Sequence, residues 1–183
     1  VGITLTLDSA ATVTLAVAAG DTDLLVEIED IFGTVGNDVL VGDGGVNTID
    51  ARAGNDTLSG RGGDDMLLGG LNTDTADYAY VTTGFTATLD SAGTVTVTAA
   101  AGDTDVLTEI ENITGGSGAD RLVGDGVANV LGGGAGDDTL SGQGGNDTLA
   151  GGANTDTADY SYLATGFTAT LVSSGTATVT AAA

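Results

Sequence analysis

A chain of 183 residues with 32 glycines, no proline and 4% aromatics cannot fill a thick globular core; a thin aliphatic core repeated along an axis fits it better. Twenty-six acidic residues against three basic ones, Arg52, Arg61 and Arg121, give a net charge of −23, which disfavours nucleic acid and anionic membranes as partners. With no Cys and no His, disulfides are excluded and zinc, iron and copper lack their usual ligands; no run approaches the roughly eighteen apolar residues of a membrane span.

No signal peptide is visible, and a chain that starts at Val1 rather than Met is expected to be a segment of a longer protein. Residues 1–17 alternate Ile3, Leu5, Leu7 and Val13, Leu15, Val17 with threonines, broken at Asp8-Ser9-Ala10-Ala11. That period of two predicts two strands around a turn. Residues 20–33 follow, with Leu25, Ile28 and Ile31 available for a core. Their GDTD recurs at residues 102–105, and Asp21, Asp23, Asp103 and Asp105 read as turn residues or as part of a further acidic site.

From Gly33 the chain reads in nines: GTVGNDVLV, GDGGVNTID, ARAGNDTLS, GRGGDDMLL, GGLNTDTAD. From Gly115 it does so again: GGSGADRLV, GDGVANVLG, GGAGDDTLS, GQGGNDTLA, GGANTDTAD. Gly clusters at positions one to four, where a turn needs it. Position eight carries Leu40, Ile49, Leu58, Leu67 and Ala76, then Leu122, Leu131, Leu140, Leu149 and Ala158. These predict a narrow inward ladder, and the two alanines predict a local end of the regular winding.

A second, longer repeat contains the first. A shift of 82 carries Leu7 onto Leu89, Gly33 onto Gly115, and Asn72–Tyr78 onto Asn154–Tyr160. The expected organisation is tandem modules: 1–82 (lead-in 1–32, block 33–77), 83–164 (lead-in 83–114, block 115–159), and the start of a third at 165–183. Each lead-in has room for about four strands. With five nonamers that makes an odd number of half-coils, which would flip the face from one module to the next.

If successive nonamers turn at opposite edges, turns on one edge recur every eighteen residues. Asp38, Asp56 and Asp74 then stack on one edge, Asn47 and Asp65 on the other. The second block repeats this with Asp120, Asp138 and Asp156, and with Asn129 and Asp147. Carboxylates at coil spacing, roughly 4.8 Å, repel unless a cation lies between them. Ca²⁺, which takes six to eight oxygens in a flexible shell, suits carboxylates plus turn carbonyls better than Mg²⁺ does. Candidate carbonyl donors are Gly33, Gly36, Gly42, Gly45, Gly54, Gly60 and Gly63 in the first block. In the second they are Gly115, Gly118, Gly133, Gly136, Gly142 and Gly145. Pairs eighteen apart predict about six ions, lowering the charge from −23 to about −11. Asn37, Asn55, Asp64, Asp137 and Asn146 at position five read as turn formers.

These nonamers resemble the RTX, or hemolysin-type, calcium-binding repeat G-G-x-G-x-D-x-U-x; GGAGDDTLS from Gly133 matches at every defined position. The lead-in DTDVLTEIENITGGSGADRLVGDG also resembles what precedes such blocks in long secreted and cell-surface proteins. The resemblance implies an all-β parallel β-roll, a β-solenoid with Ca²⁺ in its turns. It also implies secretion, commonly by a one-step route, and folding outside a low-calcium cytosol. Departures are Asn47 and Asn129 for Asp, which should weaken their sites, Asn72 and Asn154 for Gly, and Val46 and Val127 in turns.

Catalysis finds no His, Cys or Lys, and the carboxylate pairs are taken up by the metal reading. Tyr78, Tyr80, Tyr160 and Tyr162 are expected to cover the roll's edge rather than stack on sugar. Position three lacks the Thr ladder that ice binding would want. The expected role is structural: a rod, stalk or fibre of a bacterial surface adhesin, surface layer or filament, without membrane insertion. Uncapped ends predict end-to-end self-association. The alternative is an accessory module of a secreted enzyme, aiding secretion and folding.

Overall fold

The computed structural model describes residues 2–8, 13–18, 21–90, 94–100, 103–168 and 180–181. Every regular element among them is a strand, and no helix crosses a membrane. The first lead-in holds β1 (Thr4–Thr6), β2 (Val13–Ala18), β3 (Asp21–Leu25) and β4 (Asp30–Phe32). The first nonapeptide block supplies β5 (Val39–Val41), β6 (Thr48–Asp50), β7 (Thr57–Ser59), β8 (Met66–Leu68) and β9 (Thr75–Asp77). The second lead-in holds β10 (Thr86–Thr88), β11 (Thr94–Ala100), β12 (Asp103–Thr108) and β13 (Asn112–Thr114). The second block supplies β14 (Arg121–Val123), β15 (Val130–Ala135), β16 (Thr139–Ser141), β17 (Thr148–Ala153) and β18 (Thr157–Ala158). β19 (Phe167–Thr168) and β20 (Thr180–Ala181) pair antiparallel; the rest of the third stretch lies outside the described residues.

Two sheets face each other across the aliphatic ladder. The first runs β1-β5-β7-β9-β13-β15-β17, the second β18-β16-β14-β10-β11-β12-β8-β6-β4. Strands of the first block, with β14 and β16 of the second, are three residues long because only position eight needs to point inward; β15 and β17 run to six. Leu40 pairs with Leu58 and Leu58 with Ala76 in one sheet; Ile31 with Ile49 and Ile49 with Leu67 in the other. All of these are buried. Identical rungs in parallel register let each coil cover its neighbour's core. The whole is a β-roll.

The blocks change faces. Leu40 lies in the first sheet and its counterpart Leu122 in the second. The lead-in does this with β10, β11 and β12 together in the second sheet, while β13 continues the first directly on β9. The roll is therefore not wholly parallel: β11 runs antiparallel to both β10 and β12.

Two expectations need correction, at Ile28 and at Ala76. The two strands expected in residues 1–17 are present as β1 and β2; β1 joins β5, which seats Leu5 beside Leu40, while β2 pairs with β3. Ser9, Ala10 and Ala11 of the proposed turn lie outside the described residues. Ile28 is exposed, whereas its counterpart Ile110 is buried where the first block covers it. Ala76 does not end its sheet, because it pairs with Ile113.

Candidate calcium-binding turns

The aspartates at position six stand in two ladders, one along each edge of the roll. A main-chain N–H of one coil donates to the carboxylate Oδ1 of the next coil: Asp38 to Asp56 at 2.7 Å, Asp56 to Asp74 at 2.8 Å, Asn47 to Asp65 at 2.8 Å. The second block repeats this from Asp120 to Asp138 at 2.8 Å, Asn129 to Asp147 at 3.0 Å and Asp138 to Asp156 at 3.1 Å. The expected stacking thus holds for all ten side chains. Asp38, Asp56, Asp65, Asp74, Asp120 and Asp138 are buried, while Asp147 and Asp156 are half-buried.

The second carboxylate oxygen carries the chemistry. Oδ2 of Asp56, Asp65, Asp74 and Asp138 is buried without a hydrogen-bond partner. No basic group answers it; the one ion pair among the described residues joins Arg121 to Asp159 at 3.4 Å. Burial pushes Asp65 and Asp74 up to about 6, against the opposing main-chain hydrogen bonds. It also raises Asp56, Asp120 and Asp147. A buried carboxylate with one oxygen left without a donor and no counter-charge is costly, so it favours taking a proton or a cation.

The position-one glycines mark the seats. A methyl on Gly33 would lie 2.6 Å from Asp38 Oδ2 and 2.8 Å from the Ala51 carbonyl oxygen. On Gly133 it would press on Asp138 Oδ2 and lie 2.6 Å from the Gly151 carbonyl oxygen. These are close to Ca²⁺–oxygen distances, roughly 2.3–2.6 Å, and the two nearest neighbours are oxygens in each case, so the donor set suits a hard cation. The same pairing of side-chain oxygen and next-coil carbonyl recurs at Gly42, Gly115 and Gly124. Of the expected donors, the carbonyls of Gly60, Gly133 and Gly142 lie in such seats, while those of Gly36, Gly45 and Gly118 lie against the position-four glycines of the next coil. Gly54, Gly63, Gly136 and Gly145 contribute instead by their missing side chains at positive φ. Among the described residues no three acidic side chains gather closely enough to hold an ion alone, so main-chain oxygens must complete each shell.

The departures from the repeat have local reasons. Asn47 and Asn129 each face a lead-in carbonyl, and their Nδ2 donates to Glu29 O and Glu111 O, both at 2.8 Å. A carboxylate there would meet an acceptor. Asn72 and Asn154 take positive φ, 92° and 85°, which Asn tolerates. Val46 and Val127 stay on the surface. Position five behaves as turn chemistry: Asn37 accepts from the Asn55 N–H, and Asp137 from the Thr155 N–H, both at 3.0 Å.

Of two further ladder members, Glu111 escapes the sequence reading, and Asp105 stands there between a turn and a further acidic site. Glu111 Oε2 accepts the Asp74 N–H at 2.8 Å, and Asp105 Oδ1 accepts the Asp65 N–H at 3.0 Å. They take the next rungs although they lie in the lead-in. Asp105-Val106-Leu107 and Glu111-Asn112-Ile113 keep the acid-x-core spacing of a nonamer; that was the available signal. Tyr78 is also more than edge cover: it is 1% exposed, with its ring 5.2 Å from Phe85. Tyr162 stays near the surface.

Comparison with known proteins agrees with this geometry. A family profile for the RTX calcium-binding nonapeptide repeat matches four times, at residues 28–58, 41–76, 112–131 and 126–158, together just over half of the chain. No curated protein matches. Among solved structures, the extracellular lipase LipA from Serratia marcescens is similar at 20% identity and a TM-score of 0.42, over 72% of this chain. This chain spans 29% of that lipase chain.

Proposed function

The chain belongs to the RTX calcium-binding nonapeptide repeat family, and on that premise we propose that it is a structural segment folded by calcium after export. The position-six ladders, Asp38, Asp56, Asp74, Asp65, Asp120, Asp138, Asp156 and Asp147, hold the ions together with position-one carbonyls. Asn47 and Asn129 put an amide on their rungs instead of a full charge. The observation that carries this reading is the buried, unpartnered Oδ2 of Asp56, Asp65, Asp74 and Asp138, of which those of Asp74 and Asp138 share a glycine cradle with a main-chain carbonyl oxygen.

Extracellular modules bind calcium at about 10⁻⁴ to 10⁻³ M. A roll tuned to that range stays unfolded in the cytosol and folds outside. With no catalytic grouping in the turns, the segment serves as a rod or stalk of a secreted or surface protein. End-to-end stacking through open strand edges is part of the same reading. The test is calcium titration of the chain followed by far-UV circular dichroism, ion counting and sedimentation. A coil-to-β transition near millimolar calcium with about six ions bound is expected. A β spectrum unchanged in excess chelator would sink the reading.

A further inference from the structure

We propose that a groove on one edge of the roll, between the first lead-in, the turns of the second and fourth nonapeptides and Tyr80, binds a neutral saccharide. Thr6, Asp8, Asp43, Arg61 and Tyr80 line it, around a cavity of about 480 Å³. That lies in the roughly 300–1,000 Å³ range of small-molecule sites. Thr6, Asp8 and Tyr80 stand outside the matched repeats, so the groove is not a property of the nonapeptide alone.

The sequence opens the groove by leaving side chains out. β1 runs parallel to β5, and the Leu7 N–H donates to the Val41 carbonyl at 2.8 Å, which brings Asp8 beside the turn that begins at Gly42. The Gly62 N–H donates to the Asp43 carbonyl at 3.1 Å and stacks the fourth turn on the second. Gly44 has nothing within 4 Å of its missing Cβ, and the nearest atom to that of Gly62 is the Gly44 Cα, at 4.0 Å. The glycines therefore leave bare backbone between the polar side chains.

Arg61 is placed to reach a ligand. It occupies position two of its nonapeptide at φ 76°, in the left-handed region where Gly70 and Gly134 stand at 99° without a Cβ to strain. Its guanidinium lies 5.8 Å from the centroid of the Tyr80 ring, whose hydroxyl is 3.5 Å from Asp103 Oδ2. Among the described residues that guanidinium donates no hydrogen bond and forms no ion pair. Asp43 is fixed as well, with its Oδ1 accepting the Gly45 N–H at 2.7 Å.

The lining selects by charge and by the sense of its hydrogen bonds. A guanidinium only donates and a carboxylate only accepts, whereas a sugar hydroxyl does both. The carboxylates of Asp8 and Asp43 turn away phosphates and uronates, and Arg61 turns away metal ions and amines. A neutral ligand dense in hydroxyls satisfies both kinds of group. The face of Tyr80 is taken by Arg61, so recognition runs through hydrogen bonds rather than through stacking on the ring.

The second module supplies a control. A shift of 82 carries Thr6, Asp8, Asp43 and Tyr80 onto Thr88, Asp90, Asp125 and Tyr162, but Arg61 onto Gln143. Gln143 keeps the left-handed backbone, φ 63°, and its Nε2 donates to Ser141 Oγ at 3.0 Å. The second module thus lacks the guanidinium, and one saccharide is expected per chain.

The test is isothermal calorimetry on the 183-residue chain in saturating calcium, with far-UV circular dichroism read alongside. Maltohexaose, cellohexaose and mannohexaose are the neutral probes and hexagalacturonate the anionic one. One equivalent of a neutral oligomer is expected to bind. Arg61→Gln is expected to keep the β spectrum, since Gln143 already sits in the same backbone, and to bind about tenfold more weakly. No binding of any neutral probe, binding of hexagalacturonate in their place, or an unchanged affinity in a folded Arg61→Gln overturns the proposal. Should Arg61→Gln fail to fold, Gln143→Arg decides: a second equivalent bound supports the groove, and one alone overturns it. A chain without a β spectrum in calcium overturns the calcium-folded roll and the groove with it, and the spectrum tells that failure from loss of the site alone.

Discussion

The main-chain N–H of Asp74 donates to Oε2 of Glu111 at 2.8 Å, across thirty-seven residues of sequence. That bond places the last aspartate of the first block one rung before a lead-in glutamate, whose own carbonyl then receives Asn129 Nδ2. One edge therefore reads Asp38, Asp56, Asp74, Glu111, Asn129, Asp147 without a break. The triad of the first block is continuous with the Asn-Asp pair of the second, because the blocks swap faces.

Removing that rung should loosen one block from the other. Glu111→Ala leaves the Asp74 N–H, in a fully buried residue, without its acceptor. Such a group costs about 1–3 kcal/mol. The calcium midpoint of folding is expected to rise, and the single transition to separate into two. Circular dichroism along a calcium titration measures both; an unchanged single transition means the junction does not couple the blocks through this edge.

Asn129→Asp restores the repeat consensus and is nonetheless expected to destabilise. The amide Nδ2 that now donates to Glu111 O would become a carboxylate oxygen facing a carbonyl. At a residue 1% exposed, losing this bond should cost about 1–3 kcal/mol. Urea unfolding in saturating calcium reads the difference. A gain in stability would mean that an added ion outweighs the lost bond.

Much of this was legible because one nine-residue period sets two things at once. Position six gives the ligand and position eight the core, so Asp38 and Leu40 locate the turn and the sheet together. Ladder stacking and the change of face both follow from counting. What the period could not reach was the lead-in. Alternation along Thr94–Ala100 marks a strand, yet nothing local says that β11 stays in the sheet of β10 and β12. That choice is made by β12 docking on β8, a pairing forty residues apart. Glu111 was hidden likewise, since its glycines are missing and only the acid-x-core spacing survives, while the recurring GDTD left Asp105 open between a turn and a further acidic site.

Glycines of the turns should divide sharply by position. A Cβ on Gly133 would press on Asp138 Oδ2 and come within 2.6 Å of the Gly151 carbonyl, inside the proposed ion seat. Gly126 has nothing within 4 Å of that point. Gly133→Ala is expected to lose one bound ion and about 1–3 kcal/mol from overpacking. Gly126→Ala should keep every ion and gain up to about 1 kcal/mol by restricting the unfolded chain. Ion counts and thermal melts of the two variants, side by side, separate a seat from a mere turn.

Acid should partly replace calcium. Burial raises Asp65, Asp74, Asp103 and Asp105 to about 6, above the ordinary carboxylate value of roughly 3.9 in an unfolded chain. The folded state then binds protons more tightly than the unfolded one. In calcium-free solution the resulting stability is fully present below pH 4 and is lost as pH rises through about 6. The chelated chain is therefore expected to show more β signal at pH 4.5 than at pH 7.5. With calcium present the order reverses, because protons compete for the same oxygens, and the calcium midpoint should climb as pH falls below 6. Circular dichroism at both pH values, with and without chelator, tests the pair. A calcium-free chain that gains β structure on going from pH 4.5 to 7.5 would show that self-repulsion of the excess acidic charge does not govern folding here.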